Sequence, residues 1–284
     1  MMPVCLEIAC FTPDALLIAT GAGAHRLEFC ASYAEGGVTP VSGTLSPLRG
    51  LIPCPVRVMI RCRGGGFVYT PGELIEMRQQ LRRWADEGVD GWVGGCLTPD
   101  GMPDCAAMLS IAQAAPSLPF TFHRAFDQCT DSMAALDLLM ALGCSHLLSS
   151  GIQTRGAAEG IVQLLKYIKH IGRDAIPLGA IIFASSQSEQ QLEPPDAVCA
   201  ASTEARQKLG HPYSSTVATP QIGPRLKLMV GGGIRRENLD GLFGQLGDAV
   251  DYHSAAVVGG STHSTSPDPQ PDPEEIRLML NLLK

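Results

Sequence analysis

Five short runs hold most of the side chains in this sequence that could move protons or grip charge. They are Arg61-Cys62-Arg63-Gly64-Gly65-Gly66, Thr121-Phe122-His123-Arg124-Ala125-Phe126-Asp127, Ser149-Ser150-Gly151, Gly231-Gly232-Gly233-Ile234 and Asp251-Tyr252-His253-Ser254. Two more carboxylates, Glu7 and Glu28, each follow a leucine inside an apolar run. A carboxylate or imidazole can transfer a proton, and a guanidinium can hold two oxygens of a carboxylate or phosphate at once. The acid/base candidates are therefore Glu7, Glu28, His123 and Asp127. Arg61, Arg63, Arg124, Ser150 and His253 are candidate ligand-binding side chains. Gly231, Gly232 and Gly233 could offer bare backbone N–H groups to oxygens, although a triple glycine by itself marks only a turn. The ligand expected from this set is a small anion, phosphorylated or carboxylated.

Such groups act together only if the chain gathers them. Short apolar runs alternate here with helix-like stretches, the pattern of a parallel sheet wrapped by helices. Eight strands are expected: Val4–Cys10, His25–Cys30, Val56–Cys62, Val89–Cys96, Pro119–His123, His146–Ser149, Leu226–Val230 and Ala249–His253. Helices are expected over Pro13–Thr20, Pro71–Glu87, Ser132–Leu142, Ala157–His170 and Pro273–Leu283. Thr12-Pro13 and Thr70-Pro71 read as helix N-caps followed by proline, and Gly21, Gly88 and Gly143 as left-handed helix ends. Eight strand–helix units favour an α/β fold closed into a (β/α)8 TIM barrel, with an open doubly wound sheet as the alternative. In such a barrel the strand C-termini form the functional face, and all five runs end strands.

Strand alternation then assigns sides. Thr121 and His123 should face the barrel axis while Phe120 and Phe122 face the helices. Met59, Arg61 and Arg63 point inward or to the rim, and Glu7 and Glu28 point inward. Buried carboxylates need partners. Arg61, Arg63, Arg124 and His123 are the expected ones, in an active site or in an ion-pair network without chemistry.

The whole chain reads as one domain, with an insertion over residues 175–223, partly disordered, and a flexible loop over residues 259–273. The net charge of −7 argues against nucleic acid or an anionic membrane as partner. With no leader segment or long apolar run visible, a cytoplasmic setting is expected. The ten cysteines form no C-x-x-C pair, so most are expected to be small buried apolar residues.

Several of these runs, in this order, resemble motifs of the CutC copper-homeostasis family. They are Leu27-Glu28-Phe29-Cys30, Glu35-Gly36-Gly37-Val38-Thr39-Pro40, Met59-Ile60-Arg61-Cys62-Arg63-Gly64-Gly65, Thr121-Phe122-His123-Arg124-Ala125-Phe126-Asp127 and Gly231-Gly232-Gly233-Ile234. The resemblance implies a TIM-barrel-like fold, a role in copper homeostasis, Cu(I) binding, a cytoplasmic location and a homo-oligomer. The metal ligands it points to are Cys30 and Cys10. This chain departs from the family pattern where Ala9 stands at the first strand's inward cysteine position, and where Cys62 and Gly66 replace a proline and an aspartate. Alternation sends Cys10 outward, so an interior pair of thiolates would lack one member.

Overall fold

The computed structural model describes residues 4–152, 156–172, 226–257 and 268–284. Eight parallel strands follow one another around a closed barrel: β1 (Leu6–Cys10), β2 (Arg26–Phe29), β3 (Val56–Met59), β4 (Gly91–Gly94), β5 (Phe120–Phe122), β6 (His146–Ser149), β7 (Lys227–Val230) and β8 (Asp251–Ser254). The ring shuts between β8 and β1, where Leu6, Glu7 and Ile8 stand opposite Tyr252, His253 and Ser254. The expected (β/α)8 barrel is therefore the fold, and the open sheet is excluded.

Seven helices are described: α1 (Pro13–Ala22), α2 (Pro71–Asp86), α3 (Cys105–Ala112), α4 (Ser132–Ala141), α5 (Ile161–Ile171), α6 (Arg236–Leu246) and α7 (Pro273–Leu282). Thr12 and Thr70 cap α1 and α2 as expected, Thr70 together with Glu73 in a reciprocal capping box. Gly21 does not end α1. The helix runs one residue past it, and Gly23, at φ 95°, takes the left-handed position. The insertion expected over residues 175–223 and the first part of the loop expected from residue 259 lie outside the described residues. No helix among the described residues is long and apolar enough to cross a membrane.

Alternation along the strands separates two environments. Outward residues such as Ile8, Val58, Ile60, Trp92, Phe122 and Tyr252 pack with Leu16, Leu81 and Trp84 of the helices in a continuous apolar shell. Each such side chain contributes roughly 1.5–3 kcal/mol through burial. The inside of the barrel is polar in its lower half. Arg57 donates to Thr121 Oγ1, and its Nη2 lies 3.0 Å from Nδ1 of His146. Asp251 takes Lys227 Nζ at 2.6 Å on one oxygen and Arg26 Nη2 at 3.4 Å on the other. Arg26 and Lys227 are compensated by carboxylates in this layer, while Arg57 is held by neutral partners, and burial together with Arg26 lowers its pKa.

Candidate functional site

Above that layer, at the C-terminal ends of the strands, the interior opens into a cavity of about 480 Å³. Glu28 and Cys30 reach it from β2 and its end, Met59 and Arg61 from β3, His123 and Arg124 from the end of β5, and His253 from β8. The turn after β7 adds Gly232, Gly233 and Arg235. Phe11, Tyr33 and Phe67 supply the apolar wall, with Phe11 and Tyr33 packed edge to face at 5.0 Å. A larger groove of about 970 Å³ lies at the opposite end among Val4, His25, Phe243, Arg277 and Leu280. Only the 480 Å³ cavity receives the residues that end the strands.

Glu7 and Glu28 point inward as alternation requires, but their partners differ from those expected. Glu7 is completely buried; Oε2 accepts from Arg26 Nε, and Oε1 lies 2.8 Å from Nδ1 of His253. Burial alone would raise its pKa, yet Arg26 and His253 outweigh burial and hold the carboxyl well below the usual range. Glu28 shifts the other way. Burial pushes its carboxyl up, and the favourable charge of His253 offsets this only in part. Its Oε1 accepts the Cys30 thiol at 3.0 Å, while buried Oε2 has no hydrogen-bond partner among the described residues. The site thus has one firmly ionised carboxylate and one that resists ionisation, the division that acid/base chemistry uses. Burial would lower the pKa of His253, but Glu28 and Glu7 prevail and raise it.

His123 is where alternation placed it, and its ring leans on Phe67 with centroids 4.8 Å apart. Nδ1 accepts the backbone N–H of Ala125 at 3.2 Å, so the proton of the neutral ring sits on Nε2. Burial and the nearby Arg61 charge push its pKa down to about 3, so the ring stays neutral. Buried Nε2 has no hydrogen-bond partner among the described residues. His123 is thus a poised hydrogen-bond donor, suited to polarising a ligand oxygen rather than to removing a proton.

The arginines divide. Arg124 donates from Nε to Asp127 at 2.9 Å and from Nη2 to Ser150 Oγ at 2.9 Å, which fixes its plane at the rim. Asp127 is in turn held by Ser149 at 2.5 Å and by the N–H and hydroxyl of Ser150. It positions Arg124 rather than facing the cavity. Arg61 gives three hydrogen bonds to the carbonyls of Glu35, Gly37 and Gly65 and stacks over Phe67 at 4.9 Å. Its buried Nε is unpartnered. Arg61 pins loops together and pairs with neither interior glutamate. Arg63 turns away to Glu73 at the start of α2, because the rim is the last point where alternation constrains a side chain. It is not part of this site.

The glycine turn after β7 is tightly fitted. Gly232 adopts φ 101°, and a Cβ there would lie 3.0 Å from Ser150 Cβ and 3.4 Å from Arg124 Nη1. Gly231 lies just below, packed against Leu148 and His253. Of the two expected thiol ligands, Cys30 lies in the cavity, while Cys10 lies outside the barrel, directed at the carbonyls of Ile8 and Ala15. One strand cannot send consecutive residues to the same face, so the two thiols do not meet. Burial and Glu28 hold the Cys30 thiol well above its usual range, in the protonated form.

Three contributors went unassigned in the sequence. Arg26 lies two residues before Glu28, which was assigned inward, and Asp251 two residues before the candidate His253, so alternation extended along β2 and β8 would have found them. Arg235 bonds Ile234 O at 2.7 Å and Ser254 Oγ at 3.3 Å, and no sequence pattern marks it.

A closed eight-stranded parallel barrel with a buried carboxylate–imidazole–guanidinium mouth is the class of protein defined here. Residues 4–190 match the CutC family, and the chain belongs to it. A CutC family protein of Salmonella schwarzengrund is 41% identical over 181 residues, which cover 64% of this chain and 73% of that protein. A CutC family protein of Salmonella agona is 40% identical over the same length. Among solved structures, CutC of Streptococcus agalactiae, a protein proposed to act in copper homeostasis, superposes with a TM-score of 0.62 at 26% identity. That match covers 89% of this chain and 98% of the other. Phosphoribosylanthranilate isomerase of Thermotoga maritima, at 10% identity and a TM-score of 0.50, shares the fold alone.

Proposed function

We propose that this chain serves copper homeostasis, as its relative from Streptococcus agalactiae is proposed to, and that its barrel mouth binds and protonates or deprotonates a small phosphorylated or carboxylated metabolite. One observation carries the anion site. Three buried polar atoms, Glu28 Oε2, Arg61 Nε and His123 Nε2, belong to residues lining one cavity, and each lacks a hydrogen-bond partner among the described residues. An unmet buried polar group costs about 1–3 kcal/mol, so three in one place are the mark of a site completed by a ligand. In this reading Arg124 and the Gly232–Gly233 turn hold the anionic group, His123 donates to a ligand oxygen, and Glu28 carries the mobile proton.

The fit to Cu(I) is weaker. Cu(I) selects thiolate and thioether sulfur. Among the described residues the cavity offers one protonated thiol, Cys30, and the thioether of Met59, both packed beside Val93. That pair supports copper as a cargo in a second reading, in which Cys30 loses its proton on binding. No step is assigned to copper in the first.

Melting curves with a panel of phosphorylated and carboxylated metabolites separate the two. The anion reading expects at least one compound to raise the melting temperature of wild type but not of Arg124→Ala. Indifference to the whole panel removes it. Competition for Cu(I) against a strong chelator, in wild type and Cys30→Ser, tests the cargo reading, and equal weak binding in both removes that one.

A further inference from the structure

Glu7, Glu28 and His253 share a second capacity, in which Glu28, the proton carrier of the anion reading, serves as a ligand instead. Each offers one ligating atom, and the three atoms lie within 4.8 Å of one another. We propose that these three side chains bind one divalent first-row transition ion, of the zinc or manganese type, at the floor of the cavity. The inference goes beyond the anion reading and stands without it.

Spacing is the first support. His253 Nδ1 is 2.8 Å from Glu7 Oε1 and 3.7 Å from Glu28 Oε2. Bonds of about 2.0–2.2 Å to one ion place neighbouring ligand atoms roughly 3–3.5 Å apart, and the two separations bracket that range. The second support is independent of the clustering. Glu28 is 3% exposed, and its Oε2, the oxygen nearer His253, has no hydrogen-bond partner among the described residues. An acceptor buried in this way is a ligand without its ion.

The backbone explains the convergence. Glu7 and His253 are register partners across the β1–β8 seam, and Glu28 stands opposite Ala9 across β1–β2. Ala9, which also lines the cavity, brings only a methyl group to this position. Arg26 already holds Oε2 of Glu7, so Oε1 is left for the ion and the carboxylate is fixed by its outer partner. Arg26 and Lys227 are paired in turn with Asp251. Glu28 opposes the ion with a full negative charge and Glu7 with one shared with Arg26, and the opening to the cavity lets solvent offset the rest. On binding, the ion takes the place of the proton between Nδ1 of His253 and Oε1 of Glu7 and of the proton on Glu28, and both protons leave to solvent. Imidazole with two carboxylates suits zinc, manganese or iron(II) and is a poor set for Cu(I). Glu28 and His253 also line the cavity, so the ion's remaining positions face it.

The test uses the full chain stripped with a chelator, dialysed, and titrated with ZnCl2 or MnCl2 in the absence of any organic anion. Wild type and Cys30→Ser should each take up one ion per chain by calorimetry and elemental analysis. Loss of an outer partner alone weakens a metal site about 10–100-fold, so Glu28→Gln and His253→Gln should bind at least about tenfold more weakly. X-ray absorption of zinc-loaded wild type gives a readout that needs no variant, with nitrogen and oxygen neighbours and no sulfur expected. No ion in wild type, undiminished binding in Glu28→Gln, or sulfur at the zinc would each overturn the proposal. The anion reading would survive any of these, because its own test contains no metal.

Discussion

Glu7 and His253 meet across the line where the barrel closes, register partners on β1 and β8 with Oε1 and Nδ1 2.8 Å apart. Glu7 also receives Arg26, so a single carboxylate answers two buried cationic groups. Removing one member of a buried pair leaves the other uncompensated, at a cost of about 3–5 kcal/mol. Glu7→Ala should therefore lower stability by that amount in urea unfolding. A loss within the usual range for surface changes would show that Asp251 satisfies Arg26 unaided.

Acid should weaken the fold from an unusually high pH. Burial, with Arg61, holds His123 at about 3, and burial outweighs the Asp251 hydrogen bond to hold His146 at about 4. In the unfolded chain both rings accept a proton near 6.5. Between these values the unfolded state binds more protons, so stability falls as pH falls. Unfolding free energies from pH 7 to pH 4 should decline, and His146→Gln should flatten part of that decline. An unchanged slope in the variant would mean that His146 is already charged in the folded barrel. His253 acts in the opposite sense, since its raised pKa gives stability that is present below about 6.5 and is lost as pH rises through the folded value.

Gly95 is the backing of His123. A Cβ at Gly95 would fall 2.5 Å from the Nδ1 of the imidazole and 3.2 Å from Ala125 Cβ. Gly95→Ala must displace the ring and break its bond from Ala125 N–H, at roughly 1–3 kcal/mol for an overpacked site. The imidazole proton and nitrogen NMR signals of His123 should shift. An unmoved spectrum would show that the neighbouring strands yield instead.

Arg124 is held in plane by Asp127 and Ser150, so substitution by lysine keeps the charge and discards the fork. With inorganic phosphate as probe, Arg124→Lys should bind about tenfold more weakly, or about 1.4 kcal/mol, by calorimetry. Equal binding would place the anion away from Arg124.

Gly232 joins backbone strain to close packing. Alanine there requires φ 101° and presses on Ser150, so Gly232→Ala should cost about 1–3 kcal/mol and disturb Arg124 as well. Melting temperature and phosphate affinity should drop together. A fall in stability alone would separate the turn from the binding site.

The barrel was legible because parallel strands buried on both faces leave apolar runs at regular spacing, and all eight appear where those runs stand. Alternation placed Glu7 and Glu28 correctly because it holds for any residue within a strand, and His123, one residue past β5, still follows it. It failed for Arg63, which lies past the strand end, where a long side chain finds the nearest carboxylate, Glu73. Pairing was less legible than direction. The glutamates were expected to meet Arg61, Arg63, Arg124 or His123, but the arginine that reaches Glu7 starts β2, a position set by the stagger between strands and not by either strand's own sequence. Hydrogen-bond tautomers lay further out of reach. His123 reads as a base from its type alone, and only the Ala125 N–H on Nδ1 makes it a donor.

The ring closes between residue 7 and residue 253, so the paired acid and imidazole exist only after the last strand has docked. A ribosome-bound chain that has not yet made β8 carries Glu7 and Arg26 but no cavity floor. Whatever lodges between the two edges acts as a clasp on the finished cylinder, favouring the closed form by mass action. Occupancy is thus inseparable from completed assembly, and a half-made barrel has no means of competing for the ligand.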